Sequence, residues 1–280
     1  MNKLLLVDGS NLLFQMFFGM PSRIVNKQGK QIQGTLGFTG ALLKIIKRFS
    51  PTHVLVLFDG EHHNERKELD QNYKANRVDY SLVDESENPF SQLDDIYKVL
   101  DYLKIKRFET TVCETDDLIA SYSLTYGQEN KIIISSFDSD FFQLITDNVI
   151  VFRYRGDNSV ICDKNYLLNK FNISPDKYAD FKSLTGDSAD NIKGARGIGP
   201  KRASELINKF GCLNNLINCC NQIEKQSIKD CIQTESEHIK NNYKIIKLSG
   251  KCCLPFEVEE LNYLPNDLTT KQILTKLNIF

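Results

Sequence analysis

Nine carboxylates in this 280-residue chain are notable for where they fall. Asp8 closes the apolar run KLLLV (3–7), Asp59 follows VLVLF (54–58), and Asp138 and Asp140 follow KIIISS (131–136). Glu114, Asp116 and Asp117 lie together in CETDDLIASY, and Asp187 and Asp190 in TGDSADN. Any one of them could be an ordinary turn or cap residue. Gathered in one place, however, they would repel one another unless cations lay among them. Oxygen ligands without His or Cys suit Mg²⁺ or Mn²⁺. Two such ions about 4 Å apart stabilise both the attacking and the leaving oxygen of a phosphoryl displacement.

The elements that must position these acids can be read from periodicity. The runs at 3–7, 54–58 and 131–136 are short, aliphatic and continuous, as in the buried strands of a parallel sheet. Residues 35–49 place Phe38, Leu42, Ile45, Ile46 and Phe49 at helical spacing. Residues 91–103 do the same with Leu93, Ile96, Tyr97, Leu100 and Leu103, with Ser91 as the cap. The alternation predicts an α/β domain with a mostly parallel central sheet flanked by helices. Strand carboxyl ends then share one edge, where ligands bind, so Asp8, Asp59, Asp138 and Asp140 should converge. A helix starting near Glu114 puts Leu118, Ile119 and Tyr122 on one arc and the three acids on the other, at the positive end of the helix dipole.

Residues 60–90 read as a polar excursion from the sheet, basic at first (Arg66, Lys67, Lys74, Arg77) and then acidic (Asp84, Glu85, Glu87). From about residue 163 the pattern is helical, at 163–171, 174–185, 200–210, 212–219 and 224–248, with Asp187 and Asp190 at a loop or helix start. We therefore expect an α/β catalytic domain over 1–180 and a helical region over 181–280.

Within that second region, GARGIGPKRASELINKF (194–210) sets Gly197 and Gly199 around Ile198, and Pro200 then opens an amphipathic helix. Glycines permit close backbone approach, helix-start amides can bind phosphate, and Lys201 and Arg202 add charge. This pattern reads as a helix–hairpin–helix at about 190–210, which grips the DNA backbone without reading bases. The spacing of a P-loop is absent, and no strand precedes it as in a dinucleotide fingerprint.

Composition is compatible with this reading. Lys and Arg number 35 against 36 Asp and Glu, a net −1; without the nine clustered acids the same 35 face 27, a balance of +8. A polyanionic partner is thus not excluded. The eight cysteines include two adjacent pairs and no C-x-x-C, so they read as free thiols of a reducing cytoplasm. His62 and His63 are adjacent and read as surface residues. No apolar run is long enough for a membrane span or a signal peptide.

Taken together, LLLVDGSN (4–11), PTHVLVLFDG (51–60), NYKANR (72–77), ETDDLIAS (114–121), SSFDSDFFQLI (135–145) and LTGDSADNIKGARGIGPKRA (184–203) resemble the 5′-nuclease, or flap endonuclease, family. The similarity is greatest to its bacterial branch, including the nuclease domain of bacterial DNA polymerase I. The resemblance implies a PIN-like sheet, a helical arch at about 60–90 and a C-terminal helix–three-turn–helix. It implies hydrolysis of DNA phosphodiesters at or near 5′ ends and flaps by two metal ions, Mg²⁺ or Mn²⁺. Asp8, Asp59, Glu114 and Asp116 would hold one ion; Asp138, Asp140, Asp187 and Asp190 the second; Asp117 would act through water. Lys74 would approach the scissile phosphate, Arg77 and Arg66 would steer the single strand, and Tyr73 would stack a base or pack the arch. Gly197, Gly199, Lys201 and Arg202 would contact duplex DNA, with K⁺ at the hairpin. A monomeric cytoplasmic enzyme, free-standing or an isolated domain, is expected. Gln15 stands where the family commonly has a basic residue, and the arch after Arg77 is acidic. A PIN-type ribonuclease would lack the hairpin, and a non-catalytic DNA-binding relative would have lost carboxylates.

Overall fold

The computed structural model describes residues 2–60 and 65–280; His62 and His63 lie outside them. Six strands form the main sheet: β1 (Lys3–Asp8), β2 (His53–Asp59), β3 (Lys106–Thr110), β4 (Lys131–Ser135), β5 (Val149–Arg153) and β6 (Val160–Cys162). Their order is β3-β2-β1-β4-β5-β6, parallel throughout except for antiparallel β6. The chain leaves β1 toward β2 on one side and returns to β4 on the other. The switch point therefore lies between β1 and β4, where a crevice opens at the carboxyl ends of the strands.

Alternation along each strand feeds two cores. Leu4, Leu6, Leu55, Leu57, Ile132 and Ile134 face one, and Leu5, Val7, Val54, Val56, Phe58 and Ile133 the other. Leu4 to Val7 have no exposed surface, and each such side chain contributes roughly 1.5–3 kcal/mol on burial. The second core is closed by α1 (Gly9–Gly19), α2 (Gln33–Phe49) and α4 (Leu93–Tyr102), after the short α3 (Glu65–Leu69). The first core takes in α5 (Thr115–Tyr126), α6 (Lys164–Phe171), α7 (Tyr178–Thr185), α8 (Pro200–Phe210) and α9 (Leu213–Asn218).

Several expectations shift in detail. The strand signal of β3, β5 and β6 passes unread, because all three are short and β3 is mostly charged. Ser91 does not cap α4; Asn88 caps a preceding 3₁₀ turn at Pro89–Gln92, accepting from Phe90 N at 2.9 Å. The single helix expected over 224–248 is two, α10 (Gln226–Thr234) and α11 (Ser236–Ile246), broken at Glu235. Asp187 sits in a two-residue strand rather than in a loop or helix start: β7 (Gly186–Asp187) pairs antiparallel with β8 (Ile192–Lys193). Residues 258–280, including α12 (Thr270–Lys276), pack back on α2 and β2, across the division expected near 180. Over 65–90 the excursion is helical only at α3 and in 3₁₀ turns, since its Asn, Asp, Ser and Pro residues favour turns.

Candidate active site

The DGSN segment that joins β1 to α1 ties three strand ends together. Asp8 Oδ1 accepts from Asn11 N (2.9 Å), capping α1, while its Oδ2 accepts from Ser136 Oγ (2.8 Å). Ser10 Oγ accepts from Asp59 N (2.9 Å), and Asn11 Oδ1 from Phe137 N (3.0 Å). Gly9 is required for this closeness: a Cβ there would lie 2.6 Å from the Phe58 ring and 2.8 Å from Leu57 O. Asp138 Oδ1 in turn accepts from Asp140 N (2.8 Å). The first aspartate is thus a cap residue and a member of the cluster at once.

Electrostatics shows how tightly the acids are gathered. Burial, reinforced by Asp59, pushes Asp8 up to about 7. Burial and repulsion from Asp138 hold Asp116 well above the carboxylate range, with Asp8 and Asp59 adding to it and Lys74 opposing. Burial also raises Asp140 to about 7 against the pull of Lys182. One oxygen from each of Asp140, Asp187 and Asp190 lies within 4.8 Å of the others. The edge of the sheet therefore holds buried, oxygen-only donors whose mutual repulsion is relieved only in part by neighbouring cations. That donor set fits hard divalent cations.

The second group of acids faces side chains from the excursion. Glu114 stands at the N-cap of α5 without capping it; its carboxylate is turned instead to Arg66, to Tyr73 OH (3.2 Å) and to Lys74 Nζ (3.1 Å). Arg66 also grips Asp117 at 2.9 and 3.0 Å, and Asp117 accepts from Ser249 N at 2.6 Å. Burial disfavours the charge on Lys74, but Asp116 and Glu114 outweigh it and keep the amine above its usual range. Lys74 is left-handed (φ 55°), and its N–H donates to Asp190 O at 3.0 Å. Such a backbone in a non-glycine residue is held by its surroundings and is characteristic of functional turns. Arg77 reaches Asp190 at 2.9 Å with half its side chain exposed.

Two residues expected on the DNA face are turned inward. Tyr73 is 2% exposed and packs with Ala179, Ile192, Ile245 and Ile246, so it presents no ring face to a base. Arg66 is held by two acids with little surface left. Gln15, from α1, donates to Tyr154 O and is committed to the sheet edge. At the glycine-rich turn, Gly197 has φ 73°, which favours glycine, and Gly199 is the N-cap of α8. Lys201 is exposed, whereas Arg202 donates to Gly197 O at 2.9 Å.

Periodicity missed Lys182. It lies on α7 amid buried residues, bridges Asp140 and Asp187, and donates to Ser139 Oγ at 3.0 Å. Burial opposes its charge, but Asp140, Asp138 and Asp187 raise it far above the usual lysine range. The same lysine carries Asp187 below the ordinary carboxylate range against the effect of burial. The available signal was a lone lysine in an otherwise core-facing helix, YADFKSLT, because lysine is rarely buried unless paired.

Two adjoining family models match residues 3–269 of the chain. One described as the 5′-3′ exonuclease N-terminal resolvase-like domain matches residues 3–172, and one described as the 5′-3′ exonuclease C-terminal SAM fold matches 173–269. A 5′-3′ exonuclease of Mycoplasmopsis pulmonis is 30% identical, over 99% of this chain and 90% of its own length. A thermostable DNA polymerase I of Thermus thermophilus is 29% identical over 92% of this chain, which spans only 30% of that protein. Among solved structures, bacteriophage T5 flap endonuclease, in a complex with DNA and metal ions, is similar in fold. Its TM-score is 0.71 at 24% identity, covering 87% of this chain and 88% of that one.

Proposed function

Because the chain belongs to the 5′-3′ exonuclease family, we propose that it hydrolyses DNA phosphodiesters at or near 5′ ends and 5′ flaps with divalent metal ions at the carboxylate cluster. The observation that carries this reading is the convergence of Asp8, Asp59, Asp116, Asp138, Asp140, Asp187 and Asp190 on one sheet edge, where burial and mutual repulsion leave the charges of Asp8, Asp116 and Asp140 poorly compensated. Two ions, Mg²⁺ or Mn²⁺, would be held there; they supply Lewis acidity toward the phosphodiester and lower the pKa of the attacking water.

The chain's own residues then divide the work. Asp140, Asp187 and Asp190 would hold one cation and Asp8, Asp59 and Asp116 the other; Asp138, which repels Asp8, Asp116 and Asp140 alike, lies between the two groups. Glu114 and Asp117 anchor Arg66, Tyr73 and Lys74. Lys74, kept protonated and set beside Asp190 by its own peptide, stabilises charge that develops on the phosphate. Arg77, half exposed, guides the single strand. The helical region from about 181, with Gly197, Gly199, Lys201 and Arg202, grips duplex backbone, and K⁺ at the hairpin would aid that contact. The protein acts as a cytoplasmic monomer; among the described residues no helix is long and apolar enough to cross a membrane.

The test is release of short 5′ products from a flapped duplex with Mg²⁺ and with chelator. Equal cutting under chelation would end the metal mechanism. Full activity in Asp140→Ala would end the site assignment.

A further inference from the structure

Beside the acid cluster lies a cavity of about 680 Å³, lined by Ser139, Lys182, Asp187, Lys193, Phe142 and Arg153. Arg153 is the last residue of β5, one position past the Ser135–Phe152 pair, and so stands at the edge that carries Asp138 and Asp140. Its guanidinium lies over the Phe142 ring, 4.6 Å from the centroid. Its Nε is buried and makes no hydrogen bond. The neighbouring cations are taken up by acids: Arg66 by Glu114 and Asp117, Lys74 by Glu114, Lys182 by Asp140 and Asp187. Among the described residues Arg153 has no carboxylate partner within ion-pair distance. An arginine stacked on an aromatic ring is fixed in direction, and its fork of N–H donors matches a phosphate. Arg153 as a whole is half-buried, but its Nε is shut away from water without a partner, a cost that an anion in the cavity would offset.

We propose that Arg153 is a substrate-binding residue that contacts a DNA phosphodiester adjacent to the one being cut. This rests on the nuclease reading. The contact is made in ground and transition states alike, so it acts mainly on binding. Lys193 lines the same cavity and is exposed; it places a second positive charge on the route from the cluster toward the hairpin.

The experiment compares wild type, Arg153→Met and Arg153→Lys on a 5′-flapped duplex. Methionine keeps an apolar stem against Phe142 without the charge, and lysine restores the charge. Binding is measured in Ca²⁺ from 50 to 300 mM salt, and steady-state cleavage in Mg²⁺. In Arg153→Met the slope of log affinity against log salt should fall by about 0.7–0.9. KM should rise roughly tenfold, the loss of one charged hydrogen bond, with most of the loss in kcat/KM residing in KM. Arg153→Lys should recover the slope. An unchanged slope, or a loss in Arg153→Met that falls wholly on kcat, overturns the assignment while wild-type cleavage still stands. Failure of the wild type to cleave with Mg²⁺ overturns the nuclease reading, and this inference with it.

Discussion

Asp8→Asn should make the metal-free protein more stable, although Asp8 makes two hydrogen bonds. Its carboxyl is carried from an ordinary 3.8 up to about 7, by burial first and Asp59 second. At pH 7.5 that corresponds to about 4 kcal/mol of disfavoured ionisation. Relaxation and coupling to Asp59 reduce the recoverable part, so we expect about 2 kcal/mol, or roughly 5 °C in Tm for a chain of this size. Asparagine keeps the geometry: its Oδ1 can accept from Asn11 N and its Nδ2 can donate to Ser136 Oγ. The direction with pH follows from the raised value. Between pH 4 and 7 the folded protein binds more protons than the unfolded chain, so metal-free stability falls as pH rises through that window. Below it the carboxyl is neutral in both states, and the wild type and Asp8→Asn should converge. Divalent cation bound only to the folded state stabilises by mass action. Saturating Mg²⁺ should therefore raise wild type above Asp8→Asn and invert their order. Thermal melts at pH 5 and 7.5, with chelator and with Mg²⁺, give all four comparisons. If Asp8→Asn melts no higher than wild type in chelator at pH 7.5, or by the same margin at pH 5, the carboxylate repulsion argued above is wrong.

Three further outcomes are expected. Lys182→Met leaves Asp140 and Asp187 without their shared cation and should cost about 3–5 kcal/mol in chelator; added Mn²⁺ should recover part of it, and a loss below about 1 kcal/mol in calorimetry would contradict a buried bridge. Lys74→Ala should slow single-turnover cleavage by about 10²–10³ with an unchanged circular dichroism spectrum, and a near-wild-type rate would remove Lys74 from phosphate stabilisation. Lys201→Ala should reduce the salt slope of duplex binding by about 0.9 regardless of sequence, whereas a loss that varies with sequence would argue against backbone recognition at the hairpin.

The strands that carry Asp8, Asp59, Asp138 and Asp140 were legible in the sequence because a buried parallel strand must be a continuous apolar run, and each run stops at the acid. The amphipathic helix after Pro200 was legible for the analogous reason at helical period. β3 was less so: its residues, KRFET, are mostly charged, and only pairing with β2 makes them a strand. Residue type and order also determined that carboxylates, a lysine-bearing excursion and a glycine-rich turn occur together in this chain. The tertiary structure alone decided which cation meets which acid. Arg66 and Tyr73 look like surface groups in a polar segment, yet the excursion folds down and turns both toward Glu114. Lys182 and Arg153 carry the same kind of charge, but one is buried between two aspartates and the other lies on Phe142 with no carboxylate partner among the described residues. Periodicity reports which face of an element is apolar. Coulomb energy depends on distances between elements far apart in the chain, and those distances exist only once the sheet has closed.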